Sequence, residues 1–373
     1  MAYKHTVQQH IHFMQEALNL AKQGLYSTKQ NPRVGCVIVK NHTIIGKGFH
    51  LRPGEDHAEV VAIRDASSNG HDISNATFYI TLEPCHHIGR TPACINAVLN
   101  ANPKEVIIGV IDPNLLTCGK SIAILKDRGI KTVVGVLEEE IKRLNKGFFH
   151  YMQTGLPYVT CKIAMSLDGK IAMTSGESKW ITSESARQDS QNLRASSCAV
   201  MSGVGTIVAD NPRLNVRLKD FPQQDQPMIV VLDSNLRTPV NSNIFHTGNK
   251  VILLTLESSK QNRNVAKLQQ QGAEIMFLPS AENILNLNEV MQVLAKLNVT
   301  EILVEAGSTL NTALLDANLV NEIVFYIAPK ILGNHTQAAF NLNHVMNLNQ
   351  AREFEILSCH KIDKDLRITA LVK

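Results

Sequence analysis

Residues 57–94 read HAEVVAIRDASSNGHDISNATFYITLEPCHHIGRTPAC, and they decide how the rest of the chain is interpreted. His57 precedes an apolar run of helical character, while Cys85 and Cys94 bracket a polar loop that follows a strand-like segment. One imidazole and two thiolates are ligands that zinc prefers, and they leave its fourth tetrahedral position for water. Glu59 stands two residues after His57, where a carboxylate can hold and pass on a proton of that water. The stretch therefore predicts a zinc site that carries out hydrolysis.

Two other interpretations of this stretch stay open. A structural zinc site would normally close with a fourth Cys or His, and His86 and His87 stand close enough in sequence to supply one. A zinc-stabilised binding module without activity would make Glu59 dispensable. The combination of three ligands with Glu59 and the preceding Pro84 favours catalysis over both.

Composition places the chain among ordinary globular proteins. Its 373 residues are enough for two domains, each with a sizeable core. Hydrophobic residues make up 44% and charged residues 19%, which is typical of soluble proteins. Because the formal charge is only +4 and basic residues form no long run, the sequence predicts no nucleic-acid partner.

Cysteine usage and hydropathy indicate the compartment. The seven cysteines are an odd number spread along the chain, which argues against a disulfide framework. Cys36, Cys161 and Cys198 lie in apolar runs and are predicted to be buried thiols. The N-terminus lacks an apolar signal core, and no stretch of about 18 apolar residues occurs. We therefore expect a cytoplasmic protein that enters no membrane; whether it forms a homo-oligomer stays open.

Strands and helices alternate along the chain, which predicts an α/β fold. Residues 155–157, Gly-Leu-Pro, interrupt the pattern. We expect a first domain over 1–147, a linker over 148–156 and a second domain over 157–373. In the first domain, the predicted strands are 36–39, 43–50, 76–82, 105–110 and 131–136, and the predicted helices include 8–23, 93–99, 119–128 and 138–150. In the second, strands are predicted at 158–165, 198–202, 228–233, 250–255, 274–278, 300–304, 322–328, 353–359 and 366–372, and helices at 183–194, 262–271, 286–296 and 308–316.

The second half shows weaker functional signals. No Gly-x-Gly-x-x-Gly follows a first strand, which argues against a Rossmann dinucleotide domain. Two segments, each after a buried-type strand, can still cradle phosphates with backbone N–H groups. They are residues 202–206, Ser-Gly-Val-Gly-Thr, expected to form a turn, and residues 305–309, Glu-Ala-Gly-Ser-Thr, expected to open a helix.

Three motifs in the first half carry a family resemblance. They are Asn31-Pro32-x-Val34-Gly35, His57-Ala58-Glu59, and TLEPCHHIGRTPAC over residues 81–94. Together they resemble the bifunctional deaminase–reductases of riboflavin biosynthesis, because most related deaminases have Cys-x-x-Cys and lack the Gly-Arg-Thr-Pro loop. Ala93 departs from the family, which commonly has proline there. The rival interpretation, a tRNA or nucleobase deaminase with an unrelated appendage, is disfavoured by this loop and by the mild charge.

The resemblance continues through the second half. It rests on Lys162-x-Ala164-x-Ser166-Leu167-Asp168-Gly169-Lys170, on GESKWIT over 176–182, on Ala209-Asp210-Asn211-Pro212-x-Leu214, on Val304-Glu305-Ala306-Gly307 and on Ala328-Pro329-Lys330. The implied fold is a cytidine-deaminase-like three-layer α/β/α domain followed by a dihydrofolate-reductase-like α/β domain. The implied cofactors are Zn²⁺ and NADPH.

The resemblance also implies the substrates and their contacts. The first domain would deaminate 2,5-diamino-6-(5-phosphoribosylamino)pyrimidin-4(3H)-one, and the second would reduce the ribosyl group of the resulting 5-amino-6-(5-phosphoribosylamino)uracil to ribityl. Glu59 would be catalytic, and the implied deaminase substrate contacts are Asn31, His50, His87 and Arg90. The implied cofactor contacts are Ala164, Trp180, Thr206, Asp210, Ser234, Gly307, Ser308, Thr309, Leu310, Asn311, Thr312 and Ala313. The implied reductase substrate contacts are Ser178, Arg194, Leu214, Arg217 and Glu305.

Several of these residues also have simpler interpretations. Asn31 can be a turn residue before Pro32, and Asp210 can be a turn former before Asn211. Trp180, the only tryptophan, can be a core or lid anchor. Arg194 and Arg217 can be solvated surface residues, although a phosphorylated substrate needs a fixed guanidinium. Lys162 and Asp168 are further candidates for proton handling in the reductase.

Overall fold

The structure, a computed structural model, describes residues 2–87, 92–280 and 282–373, with side chains from residue 7 onwards. The chain divides into two compact units, Met1–Gly155 and Leu156–Lys373. Most of the segment expected to be a linker, residues 148–156, is helical in the structure. Phe148 and Phe149 are buried there against the core of unit 1, which explains why this segment does not behave as a linker.

Unit 1 contains a mixed sheet with helices on both faces. Its strands are β1 (Gly35–Lys40), β2 (Thr43–Phe49), β3 (Thr77–Leu82), β4 (Glu105–Val110) and β5 (Lys131–Val134). Its helices are α1 (Ala2–Ala21), α2 (Ala58–Ser68), α3 (Cys94–Asn100), α4 (Lys120–Asp127), α5 (Glu138–Leu144) and α6 (Lys146–Thr154). The sheet order is β2-β1-β3-β4-β5, in which β1 is antiparallel to both neighbours and β3, β4 and β5 are parallel.

Close backbone contacts fix two helices on opposite faces of this sheet. A Cβ at Gly35 would meet the backbone of α1 at Ala17, whereas a Cβ at Gly46 would meet α2 at Ala62. Gly46 lies opposite Ile38 in the sheet, so both residues point to the same face. Ile38 is three residues after Gly35 on β1, and residues an odd number apart on a strand point to opposite faces. Gly35 and Gly46 therefore point to opposite faces of the sheet. Helix α2, which carries the predicted catalytic carboxylate, therefore packs directly on the β1–β2 hairpin.

The core explains why the strands of unit 1 read as apolar runs. Strand β4 is buried along its whole length, and Phe78, Ile80, Ile107 and Ile108 are fully buried. Burying each such side chain contributes about 1.5–3 kcal/mol. The ends of these strands, where the site residues lie, are thereby held by the best-packed part of the unit.

Unit 2 is built on a larger, mainly parallel sheet. Its strands are β6 (Tyr158–Ser166), β7 (Lys170–Met173), β8 (Ala199–Gly203), β9 (Met228–Leu232), β10 (Val251–Leu256), β11 (Ala273–Leu278), β12 (Glu301–Val304), β13 (Glu322–Ala328), β14 (Thr336–Ala338), β15 (Phe354–Ile362) and β16 (Asp365–Val372). Its helices are α7 (Glu184–Ser196), α8 (Val204–Asp210), α9 (Asn264–Gln270), α10 (Leu287–Lys296) and α11 (Ser308–Asp316).

The topology of unit 2 brings several loops to one edge. The sheet order is β11-β10-β9-β8-β12-β6-β13-β16-β15. The first seven strands in this order are parallel to one another. Strand β16 is antiparallel to both of its neighbours, β13 and β15. Strand β12 lies between β8 and β6, so the strand order reverses there. In such sheets ligands bind outside the carboxyl ends of the strands near the reversal. Strands β7 and β14 form a separate two-stranded ribbon that the sequence pattern did not predict.

Two local predictions differ from the structure. The segment expected to be a turn at 202–206 instead opens helix α8 at Val204. The helix expected over 138–150 is two helices that meet at Asn145, whose φ of −110° breaks the regular path. Within the described residues, no helix is long and apolar enough to cross a membrane.

Candidate active sites

The three predicted zinc ligands meet in unit 1. The ligand atoms of His57, Cys85 and Cys94 all lie within 4.8 Å of one another. His57 Nδ1 is 3.0 Å from Cys94 Sγ and 3.6 Å from Cys85 Sγ. One nitrogen and two sulfurs form a donor set that suits zinc. Among the described residues neither His86 nor His87 joins this group, so the structural interpretation finds no fourth ligand there.

Secondary structure places each of these ligands. His57 directly precedes α2, Cys85 follows β3, and Cys94 is the first residue of α3. The backbone N–H of Cys94 donates to Cys85 Sγ at 3.2 Å. Hydrogen bonds from the Cys94 side chain and from His57 lower the pKa of Cys85 to about 4. The hydrogen bond with Cys85, together with burial, raises the pKa of Cys94. The thiolate form of Cys85 is thus favoured by its neighbours, and a thiolate is the form of cysteine that ligates a metal.

Glu59 lies beside these ligands and is buried. It is the second residue of α2, and its side chain is 3% exposed. Burial, followed by the negative charge of Cys85, raises the pKa of Glu59 to about 7. A carboxyl group in this setting can hold a proton or release it near neutral pH, as general acid–base catalysis requires.

One of the four predicted substrate contacts packs against a metal ligand, and a second is hydrogen-bonded to the first. Asn31 Nδ2 donates to His50 Nε2 at 3.0 Å, and the ring of His50 lies edge-on to His57 with 5.1 Å between centroids. Burial lowers the pKa of His50. His87 Nδ1 is 3.3 Å from Thr117 Oγ1. Arg90 lies outside the residues that the structure describes.

Glu83 has a supporting role that the sequence interpretation missed. Its buried carboxylate accepts backbone hydrogen bonds from four N–H groups, at Gly119, Ser121, Ile122 and Asp112, over 2.9, 3.0, 3.4 and 3.3 Å. The first three belong to the start of α4, where N–H groups lack partners within the helix. The available signal was a charged residue at the end of an apolar strand.

Three charged side chains meet in unit 2. Arg194 donates to Glu305 through Nε at 2.5 Å and Nη2 at 3.0 Å, and Lys162 Nζ is 3.8 Å from Glu305 Oε2. Burial alone would raise the pKa of Glu305, but Arg194 and Lys162 outweigh it and hold the value at about 2. Arg194 is buried, so the solvated surface role is wrong for it, whereas Arg217 is exposed.

The predicted cofactor contacts lie on several elements of unit 2. Ala164 is near the carboxyl end of β6, Ser234 follows β9, and Thr206 and Asp210 lie on α8. Asp210 Oδ1 accepts from Ser178 Oγ at 3.1 Å, which joins a predicted cofactor contact to a predicted substrate contact. Gly307, Ser308, Thr309, Leu310, Asn311, Thr312 and Ala313 form the N-cap and first turns of α11.

The start of α11 fits a phosphate-containing cofactor. A Cβ at Gly307 would meet nothing within 4 Å, so a ligand can approach the backbone there. The buried Oδ1 of Asn311 has no hydrogen-bond partner among the described residues. Free backbone N–H groups and the positive helix end attract anions. Asn341, which the sequence did not single out, donates through Nδ2 to Ser308 Oγ at 3.1 Å and through its backbone to Thr312 Oγ1 at 2.8 Å.

Three residues have environments that the sequence did not reveal. Leu214 is 2% exposed and packs in the core of unit 2, and its predicted contact with the reductase substrate stays a prediction. Trp180 is 63% exposed with Arg187 stacked 4.3 Å from its ring, which rules out a core anchor. Asp168 accepts from Ser166 Oγ at 2.5 Å and from backbone N–H groups at 332 and 333. Asp168 therefore fixes a loop, and these hydrogen bonds lower its pKa.

Comparison with known families assigns each half of the chain to a family model. Residues 7–110 match the sequence model of the cytidine and deoxycytidylate deaminase zinc-binding region. Residues 157–368 match that of the RibD C-terminal domain. The riboflavin biosynthesis protein RibD of Haemophilus influenzae is 41% identical over 367 residues, covering 96% of each chain. The chain belongs to the RibD family.

Further RibD relatives support the same assignment. The Escherichia coli RibD is 40% identical over 366 residues, covering 95% of this chain and 97% of that one. The solved structure of Acinetobacter baumannii RibD, form 1, superposes with a TM-score of 0.88 at 40% identity over 98% of this chain and 99% of the other. A Thermotoga maritima diaminohydroxyphosphoribosylaminopyrimidine deaminase/5-amino-6-(5-phosphoribosylamino)uracil reductase superposes with a TM-score of 0.89 at 31% identity over 99% and 100%.

RibD membership confirms the predicted fold class and the predicted pair of activities. A deaminase-like α/β domain precedes a RibD reductase domain, and the deaminase domain contains a group of residues that could hold a metal ion. The chain is therefore an enzyme of riboflavin biosynthesis with a zinc-binding deaminase domain and a reductase domain of the NADPH-using type.

Proposed function

We propose that this chain hydrolyses the 2-amino group of 2,5-diamino-6-(5-phosphoribosylamino)pyrimidin-4(3H)-one and then reduces the ribosyl group of the resulting uracil with NADPH. The observation that carries the proposal is the cluster of His57, Cys85 and Cys94 next to the buried Glu59. Its second support is the charged cluster of Glu305 in the reductase unit of the same chain. The Thermotoga maritima protein of the same architecture is described as catalysing both steps.

In the deaminase, the protein supplies ligands, orientation and proton transfer. His57, Cys85 and Cys94 would hold zinc, which when bound supplies Lewis acidity that activates water. Glu59 takes a proton from the attacking water and delivers it to the leaving amine. One C–N bond breaks, the oxygen of water becomes the ring carbonyl oxygen, and ammonia leaves.

The substrate is held by residues on the neighbouring loops. The Asn31 amide offers both a donor and an acceptor to the edge of the pyrimidine, and its hydrogen bond to His50 sets its orientation. His87 and Arg90 suit the phosphate, because a guanidinium can bind it at two points. This substrate preference distinguishes the proposal from a nucleobase deaminase, whose ligand has no phosphate.

In the reductase, NADPH would lie against the start of α11 and supply a hydride to C1′ of the ribose. The C1′–O bond opens, the ring oxygen gains a proton, and a ribityl chain results. Glu305 and Arg194 form a fixed pair that can bind the sugar hydroxyls and the phosphate end of the substrate. Lys162 is largely shielded from solvent beside them, and this desolvation lowers its pKa, so it is our candidate for donating the proton.

Two measurements test the proposal. In Glu59→Gln, the zinc content should stay at the wild-type level while deamination is lost, because the variant keeps the ligands and loses the proton carrier. Unchanged deamination would refute the catalytic role of Glu59 and favour a zinc-stabilised module. Separately, NADPH should be oxidised when the deaminated uracil is supplied, and chelation of zinc should leave this step unaffected. No oxidation would refute the reductase half.

A further inference from the structure

Asn145 holds a backbone segment that is 112 residues away in sequence. It is fully buried where α5 meets α6. Its Oδ1 accepts from the backbone N–H of Arg33 at 2.7 Å, and its Nδ2 donates to the backbone carbonyl of Arg33 at 3.1 Å. The Asn145 side chain thus pairs with both the N–H and the C=O of Arg33, which lies outside any strand. In a sheet these two groups would pair with a neighbouring strand.

The side chain of Arg33 attaches the same segment a second time. Arg33 is 2% exposed, and its Nη1 donates to the carbonyl of Leu144 at 3.0 Å. Leu144 is the last residue of α5, where unpaired carbonyls make the helix end negative and favour a cation. Three hydrogen bonds therefore fix residue 33 to the α5–α6 junction.

The fixed segment leads directly to the predicted substrate site. Asn31 stands two residues earlier and donates to His50 Nε2 at 3.0 Å. The carbonyl of Val34, one residue later, accepts from the backbone N–H of His50 at 3.0 Å. His50 in turn packs edge-on against the metal ligand His57. A displacement at residue 33 would therefore move the Asn31 amide relative to the metal ligands.

Asn145 belongs to a part of the chain beyond the general deaminase region, whose sequence model ends at residue 110. We propose that Asn145 is a positioning residue of the deaminase, which holds residues 31–34 so that Asn31 presents its amide to the pyrimidine. The proposal rests on the proposed function, because it assumes that Asn31 binds the substrate. A misplacement of about 1 Å in such a contact can lower the rate about a hundredfold.

The experiment compares three variants in the full-length, zinc-loaded chain. Asn145→Ala removes both hydrogen bonds to Arg33, and Asn145→Asp keeps an acceptor for the Arg33 N–H while losing the donor to its carbonyl. Asn69→Ala is the control, because Asn69 is an exposed asparagine at the end of α2 in the same unit. Four quantities are measured: zinc content, hydrogen exchange of peptides covering 31–34, kcat and KM for deamination, and NADPH-dependent reduction.

We expect Asn145→Ala to raise hydrogen exchange over residues 31–34 and to lower kcat/KM for deamination about tenfold or more, through kcat, KM or both. The zinc content and the NADPH-dependent reduction of Asn145→Ala should stay at wild-type levels. The hydrogen exchange and deamination kinetics of Asn145→Asp should lie between those of Asn145→Ala and the wild type. Asn69→Ala should match the wild type in all four quantities. If Asn145→Ala loses zinc because unit 1 does not fold, Asn145→Asp gives the decisive comparison.

Two results for Asn145→Ala would overturn the positioning role alone. One is unchanged hydrogen exchange over residues 31–34, and the other is raised hydrogen exchange with unchanged KM and kcat for deamination. A wild-type chain that binds zinc but does not deaminate the substrate would instead overturn the proposed function, and this inference with it. The two failures are therefore distinguishable.

Discussion

Arg194 and Glu305 are 111 residues apart in sequence, yet their side chains form a buried two-point ion pair. The guanidinium also donates to the backbone carbonyl of Asn215 at 2.9 Å, which fixes its orientation. Lys162 adds a second positive charge near the same carboxylate. Because a lone buried charge is costly, the three groups depend on one another, and Glu305 is the only negative charge among them.

Glu305→Gln should therefore destabilise unit 2. Removing one partner leaves Arg194 and Lys162 buried without their counter-charge, and breaking a buried pair in this way costs about 3–5 kcal/mol. Loss of NADPH-dependent reduction in denaturant, measured beside circular dichroism, reports unfolding of this unit. The control is Glu274→Gln, whose exposed pair with Lys250 is worth about 0–1 kcal/mol. Equal stabilities of the two variants would contradict the prediction.

The same pair predicts how stability depends on pH. The pKa of Glu305 is held at about 2, below its ordinary value of 4.5, so its ionised form stabilises the folded state. This contribution is complete above pH 4.5, is lost as the pH falls towards 2, and is on the order of 3 kcal/mol. The difference in unfolding free energy between wild type and Glu305→Gln should shrink over that range. A constant difference from about pH 6 to about pH 2 would refute the assignment.

Most of the fold could be predicted from the sequence because its signals are local. Buried parallel strands appear as continuous apolar runs, and strands such as β4 and β13 occur where the runs predict them. The metal group was also predictable, because each ligand stands at the end of a recognisable element. The helix that starts at Val204 was missed, because glycines at 203 and 205 indicate a turn; in the structure Gly203 ends β8 in an extended conformation and Gly205 lies inside α8.

The supporting contacts could not be predicted, because their partners are distant in sequence. Asn145 acts on a residue 112 positions earlier, and Asp168 binds an N–H group 165 positions later. Nothing local marks Leu214 as buried in the core, although its φ of +54° is unusual for a leucine. Residue types indicate which chemistry is available, whereas these contacts depend on the three-dimensional arrangement.

Glu83→Gln should loosen the start of α4. Both oxygens of the Glu83 carboxylate accept hydrogen bonds from backbone N–H groups. In the amide one of these oxygens is replaced by an NH₂ group, which cannot accept them. Leaving buried N–H groups unpaired costs about 1–3 kcal/mol each. We expect deaminase kcat/KM and thermal stability of unit 1 to fall, because the loop with Thr117 contacts His87. The control is Glu139→Gln at an exposed position of unit 1; a similar loss there would contradict the prediction.

Gly48→Ala should impair the deaminase and leave the reductase intact. A Cβ at residue 48 would overlap the carbonyl of Ala58 and the backbone N–H of Ala62, and these backbone atoms move only if the whole of α2 moves. Because α2 begins directly after a metal ligand and carries Glu59, we expect about 1–3 kcal/mol of strain, weaker zinc binding and a deamination rate at least about tenfold lower. Zinc titration and both activity assays check this outcome. Ser68→Ala, at the exposed end of the same helix, is the control, and wild-type zinc affinity in Gly48→Ala would show that α2 tolerates the displacement.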